Sequence, residues 1–275
     1  MGSILLAIGI LTALGLIFGV VLAFASAALA VPEDEKVQKL REALPSINCG
    51  ACGYSGCDGY AKAMAAGSAK PGLCTPGGAE VADLTASILG VESVGVENKI
   101  ATVKCGGRNE FTNRKLEYRG LATCAAADRF YGGEPACPYG CLGYGDCAAV
   151  CDYGAIIIED GLARIDPKLC RGCTKCVEAC PKSIVEMIPA GARGVVRCSS
   201  TDKGAEVRKA CSVGCIGCKR CEKACEYDAI HVSDFLARID VRKCVGCGAC
   251  ADVCPVDCID IFGYQPKRQQ KAAAR

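Results

Sequence analysis

Sixteen cysteines fall into four tight runs, beginning at Cys137, Cys170, Cys215 and Cys244, in a chain of 275 residues that holds 25 cysteines in all. Cys170, Cys173, Cys176 and Cys180, followed by Pro181, and Cys244, Cys247, Cys250 and Cys254, followed by Pro255, share the spacing C-x2-C-x2-C-x3-C-P. Cys215, Cys218, Cys221 and Cys225 keep that spacing with Glu226 in place of the proline. Three thiolates two residues apart wrap one face of an iron–sulfur cubane, because a short loop brings the sulfurs onto adjacent irons, and the fourth reaches the neighbouring cluster. Runs therefore act in pairs. Cys151 is expected to complete the cluster of Cys170, Cys173 and Cys176, while Cys180 completes the other. Cys225 joins Cys244, Cys247 and Cys250, and Cys254 joins Cys215, Cys218 and Cys221. Structural zinc uses two C-x2-C pairs across a longer spacer, and disulfide scaffolds are far shorter chains. Thiols that must stay reduced point to a cytosolic location.

Displacing the sequence by 74 residues lays Cys124, Cys137, Cys141, Cys147, Cys151, Cys170, Cys173, Cys176 and Cys180 on Cys198, Cys211, Cys215, Cys221, Cys225, Cys244, Cys247, Cys250 and Cys254. Leu162 to Asp166 likewise falls on Leu236 to Asp240, with the same residues. The second half thus carries two copies of a two-cluster ferredoxin-like unit. Ala155 to Ile165 and Ala229 to Ile239 read as β-hairpins, with turns near Asp160-Gly161 and Ser233-Asp234. Short helical turns are expected after Cys147 and Cys176, in a small α+β fold that the clusters staple.

The repeat has one informative mismatch. Cys218 faces Tyr144, so the run Cys137, Cys141, Cys147, Cys151 lacks its middle ligand, and Cys137 is expected to substitute. Cys105, Cys124, Cys198, Cys211 and Cys258 are then left over. Cys105, Cys124, Cys198 and Cys211 could form an additional metal site, and otherwise serve as small buried residues. Upstream, Cys49, Cys52, Cys57 and Cys74 have the spacing C-x2-C-x4-C-x16-C among glycines that allow tight turns and leave amide N–H groups for sulfur. Zinc is the rival reading there. The flanking stretches Glu35 to Leu44, Gly59 to Ala66 and Ala79 to Leu89 read as helices. Five 4Fe–4S clusters are expected altogether.

These cysteines need a place. From Gly2 to Pro32 there is no charged side chain, a run long enough to cross a bilayer. Ala25-Ser26-Ala27 resembles a signal-peptidase site, but no basic segment precedes the run, and it is too long for a signal peptide. Lys36, Lys39 and Arg41 follow it, so the positive-inside rule puts the soluble part in the cytoplasm, on the inner face of the membrane. Gly15, Gly19, Ala23 and Ala27 form a small-residue stripe suited to packing against a partner helix. The expected organisation is a transmembrane helix over 1–32, a helical 4Fe–4S domain over 33–95, a connector over 96–123, ferredoxin-like domains over 124–197 and 198–263, and a basic tail over 264–275.

The chain resembles the B subunit of the Rnf electron-transport complex, in its long, multi-cluster form. The residues that carry the likeness are the N-terminal span, Cys49-Gly50-Ala51-Cys52-Gly53-Tyr54-Ser55-Gly56-Cys57 with Cys74-Thr75-Pro76-Gly77-Gly78, and Tyr139-Gly140-Cys141-Leu142-Gly143-Tyr144-Gly145-Asp146-Cys147. The resemblance implies a membrane complex that oxidises soluble reduced ferredoxin, reduces NAD and exports Na+ or H+. It implies that the B subunit receives the electrons and relays them to flavin- and cluster-bearing integral-membrane subunits.

The residues themselves agree with one-electron chemistry. There is no G-x-G-x-x-G after a strand, so no dinucleotide fold is expected, and the only histidine, His231, lies in a hairpin strand. A net charge of +2 leaves no nucleic-acid footprint. The alternatives are a polyferredoxin subunit of a hydrogenase or other reductase, and a zinc-binding scaffold.

Overall fold

A bilayer-length apolar helix opens the chain in the computed structural model, which describes residues 2–28, 34–93 and 95–266. Helix α1, Gly2–Ala28, has 27 residues, a length of about 40 Å at about 1.5 Å per residue. Its segment Ile8–Ser26 has mean hydropathy 2.6 and buries none of its surface against the protein. Leu11 and Leu16 are 70% and 71% exposed, which water does not tolerate along an entire helix.

Three helices follow: α2, Glu35–Ala43; α3, Cys57–Ala65; and α4, Gly78–Leu89. Asp34 caps α2 by accepting from the Lys36 N–H at 2.9 Å. An ion pair between Arg41 and Asp58 ties α2 to α3. Their shared core is Leu40, Leu44, Tyr60, Ala61 and Met64, and Gly90 ends α4 at φ 70°, a conformation in which a side chain is disfavoured.

Strand β1, Lys99–Val103, and helix α5, Cys124–Arg129, lead into the cysteine-rich half. There α6 (Asp146–Ala149), β2 (Ile156–Glu159), β3 (Leu162–Ile165), α7 (Lys175–Glu178) and β4 (Val185–Pro189) follow in order. After β5 (Gly194–Val196) and α8 (Gly204–Ala210) the order recurs as α9 (Arg220–Ala224), β6 (Ile230–Ser233), β7 (Leu236–Ile239), α10 (Ala249–Asp252) and β8 (Ile259–Ile261). Both hairpins pair in the same register, Ile156 opposite Ile165 and Ile230 opposite Ile239. Asp160 and Gly161 turn the first at φ 49° and 74°, and Asp234 and Phe235 turn the second at φ 48° and 60°.

The expected boundaries shift at two strands. β1, within the segment read as a connector, pairs antiparallel with β4, Val103 opposite Val185. β5, placed by the spacing at the end of the first unit, pairs with β8 of the second, Val196 opposite Ile259. Each unit is therefore closed by a strand that precedes its first cysteine run. The helical turns also begin just before Cys147 and Cys176 rather than after them. Of the tail, Lys267 to Arg275 lies outside the described residues.

Candidate metal centres

In the helical domain, Cys57 opens α3 and its N–H donates to Asn48 Oδ1 at 2.8 Å. The Tyr60 hydroxyl donates to the Lys70 carbonyl at 2.8 Å and accepts from the Leu73 N–H at 3.2 Å, fixing the loop that delivers Cys74. Burial, then the charges of Cys57, Cys49 and Cys52, push the Cys74 thiol up to about 11. These four sulfurs form site 1.

In the repeated units the fourth cysteines cross. Cys151, Cys170, Cys173 and Cys176 line one apolar cavity, site 2, walled by Ile156, Ile165 and Met187. Cys225, Cys244, Cys247 and Cys250 line its counterpart, site 6, walled by Ile230, Ile239 and Ile261. Cys215, Cys218 and Cys254 act together on the Cys221 thiol, which burial first pushes up to about 12, and these four make site 5.

Two cysteines sit elsewhere than the spacing led us to expect. The cavity of Cys141, Cys147 and Cys180, site 3, takes Cys124 as its fourth sulfur. Cys137 instead lines a separate cavity with Cys105, Cys198 and Cys211, site 4. The extra quartet is thus Cys105, Cys137, Cys198 and Cys211, with Cys137 in the place expected for Cys124. Local hydrogen bonding accounts for the exchange. The Asp146 carboxylate accepts from the N–H groups of Cys124 (2.8 Å) and Ala125 (3.0 Å), seating α5 over α6. Tyr144 turns away, its hydroxyl donating to Glu134 Oε2 at 3.1 Å and its ring edge-on to Tyr118. The acidic residue inside the run was the available signal. Cys137 is drawn off because the segment around Asn113 bonds both to Ala136 (Ala136 N–H to the Asn113 carbonyl, 2.7 Å) and to the end of α8 (Asn113 N–H to the Ala210 carbonyl, 3.0 Å).

The sites form a series. Thr75, beside Cys74, lies against Gly172, beside Cys173, and Cys49 heads the charges acting on Cys173, joining site 1 to site 2. Sites 2 and 3 share the run that ends in Cys180, as sites 5 and 6 share the runs that end in Cys225 and Cys254. The Cys141 N–H donates to Cys105 Sγ at 3.5 Å, joining site 3 to site 4. The Cys215 backbone N–H acts on the Cys198 thiol and opposes the rise that burial causes, joining site 4 to site 5. Of the 25 cysteines, 16 line four cavities in fours and 8 more are grouped by the charges they exert on Cys74 and Cys221. Cys258, 2% exposed, is the twenty-fifth, its sulfur 3.7 Å from Cys254 Sγ and bonded also to Cys215. Its hydrogen bond is the first cause holding Cys215 and Cys254 down to about 6.

Iron–sulfur clusters fit this donor set. Burial raises the thiols of Cys105 and Cys147 to about 12 and those of Cys137, Cys176 and Cys250 to about 11. Four thiolates in an apolar cavity need a cationic core to be held there. Backbone N–H groups already point at sulfur: Ala101 at Cys170, Ala155 at Cys151 and Ala229 at Cys225, each at 3.4 Å. At site 4 the fit is closer. Gly107 has no Cβ, and one there would stand 2.6 Å from Thr112 Oγ1 and 3.4 and 3.6 Å from the sulfurs of Cys211 and Cys105. Thr112 Oγ1 is buried without a hydrogen-bond partner among the described residues. Thr112 bridges to Cys211 across the backbone, and a buried donor with no acceptor there is what an inorganic sulfide would satisfy. His231, half exposed, faces Asp228 and Glu222 at 3.4 and 3.6 Å.

All-thiolate sites placed side by side mark an iron–sulfur electron-transfer protein. Family models agree: the FeS family matches residues 44–76, the 4Fe-4S binding domain residues 162–188, and the 4Fe-4S dicluster domain residues 209–261. The B subunit of a Na+-translocating ferredoxin:NAD+ oxidoreductase complex from Acetobacterium woodii is 46% identical over 244 residues, 88% of this chain and 73% of that protein. Its proton-translocating counterpart from Clostridium ljungdahlii is 40% identical, covering 87% of this chain and 85% of the relative. The B subunit of an ion-translocating oxidoreductase complex from Methanosarcina acetivorans is 38% identical, covering 88% and 93%. The chain belongs to this family, the B subunits of the ion-translocating ferredoxin:NAD oxidoreductase (Rnf) complexes.

Proposed function

We propose that this chain is the subunit through which reduced ferredoxin feeds electrons into a membrane complex that reduces NAD and exports Na+ or H+. Its ligands are the six quartets, one more than the five that spacing predicts, and its soluble part is two tandem two-cluster ferredoxin-like units behind a helical domain, on the cytoplasmic side. The observation that carries this reading is the series of quartets, with a direct N–H to sulfur bond from site 3 to site 4 and the Cys215 N–H acting on Cys198 between site 4 and site 5. A bound 4Fe–4S cluster supplies a one-electron couple whose potential lies within about −700 to +450 mV. The chain's own residues hold the sulfurs, exclude water with Ile and Val walls, and offer N–H groups that stabilise the added negative charge. The other partners are the integral-membrane and flavin-bearing subunits, which α1 would meet within the bilayer. Purification in mild detergent should recover those subunits together with ferredoxin-dependent NAD reduction. Recovery with a hydrogenase instead would refute the proposal.

A further inference from the structure

An open cleft lies over the second repeated unit, lined by Arg220, Lys223, Ala224, Asp252, Val253 and Pro255. Arg220 precedes Cys221, Ala224 precedes Cys225, and Val253 and Pro255 flank Cys254, so the lining is chain-adjacent to sites 5 and 6 at their crossed cysteines. Cys218, two residues before Arg220 in the chain, is exposed. Lys219, Arg220 and Lys223 are exposed and enter no ion pair among the described residues.

The first unit supplies an internal control. At the positions of Lys219, Arg220 and Lys223 it has Gly145, Asp146 and Ala149, one anion in place of three cations on the same fold. Asp146 is used internally, holding α5 across that face. The equivalent residues of the second unit are drawn elsewhere, Cys198 into site 4 and Ser199 to the Lys104 carbonyl at 2.9 Å. The second face is therefore left uncovered. Stability does not explain its charge either, because Lys219 and Arg220 sit at the start of α9, where the helix favours an anion.

We infer that this face docks a small one-electron carrier protein whose own cluster is ringed by acidic side chains, a ferredoxin in the reading above, on which the inference rests. One electron leaves the reduced carrier and one is gained by this chain; no bond breaks and no proton moves. The cations steer and orient the carrier, while exposed Val253 and half-buried Pro255 give the contact an apolar centre.

The test uses the full, cluster-loaded chain in detergent, mixed with reduced ferredoxin in stopped flow. Arg220→Glu combined with Lys223→Glu should slow the second-order reduction by about tenfold or more at low salt and flatten its salt dependence. Reduction by a small viologen radical should be unchanged, which shows that the variant is folded and loaded. Lys168→Glu, on the exposed surface of the first unit, should leave the ferredoxin rate unaltered. A wild-type rate and salt slope in the double variant overturn the docking face alone. A wild type that viologen reduces and ferredoxin does not overturns the functional reading, and the docking face with it.

Discussion

Replacing Cys211 by Ser removes one sulfur from site 4 and leaves every other quartet intact. With a four-iron cluster in each of the six proposed quartets the chain would hold about 24 irons, so the variant should retain about 20. The kinetic effect should be larger than the loss of iron. Site 4 is the joint between the two units, reached from one side through Cys141 and Cys105 and from the other through Cys215 and Cys198. With electrons supplied at the second unit, sites 5 and 6 stay within reach and sites 1, 2 and 3 are cut off. The fast phase of visible bleaching after mixing with reduced ferredoxin should therefore fall to about two-fifths of the amplitude that the five remaining clusters give at equilibrium. Iron and sulfide assays supply the first quantity and stopped-flow absorbance the second. A wild type holding about 20 irons, or a Cys211→Ser variant with full iron and full fast amplitude, would refute the assignment of site 4.

Further outcomes follow from the same geometry. Cys124→Ser should disturb site 3 and Cys137→Ser site 4, distinguishable because only the second interrupts transfer between the units; identical phenotypes would contradict their separate cavities. Cys258→Ile removes the thiol that hydrogen-bonds Cys254, and Ile184 stands at the equivalent position of the first unit. A hydrogen bond of about 1 kcal/mol corresponds to about 40 mV for one electron, so the potential of site 5 should drop by that order in an EPR-monitored titration, with iron unchanged. Thr112→Val should likewise lower the potential of site 4, and no shift would show that its hydroxyl points away from the sulfide. Chelation of iron should abolish the near-ultraviolet signature of the cysteine-rich half, whose buried clusters are largely sulfur and short hairpins; a retained signature would mean the fold stands without metal.

Much of this was legible in the chain because cluster ligation compresses tertiary structure into spacing. A run of three cysteines cannot close a cubane alone, so the crossing that brings Cys225 to Cys244 and Cys151 to Cys170 follows from the run itself. The apolar span of α1 was equally plain. What spacing could not reveal was which of Cys124 and Cys137 goes to site 3, since both have counterparts 74 residues on. That choice is made by Asp146 and Tyr144 through bonds that no repeat encodes. The pairings of β1 with β4 and β5 with β8 were hidden for another reason. Strands of three to five residues carry little periodicity, and their partners lie far along the chain.

Site 4 draws on residues from Cys105 to Cys211, and that span has a consequence for biogenesis. A quartet cannot be filled until its last cysteine has left the ribosome. Site 1 is complete at Cys74, site 2 at Cys176, site 3 at Cys180 and site 4 at Cys211, while sites 6 and 5 wait for Cys250 and Cys254. Synthesis thus exposes the quartets to the assembly machinery from the membrane-proximal end outward, and the joint is ready before the unit it will connect. A nascent chain arrested before Cys211 would leave Cys105, Cys137 and Cys198 as an incomplete trio of thiols, the stage at which premature oxidation would do most harm.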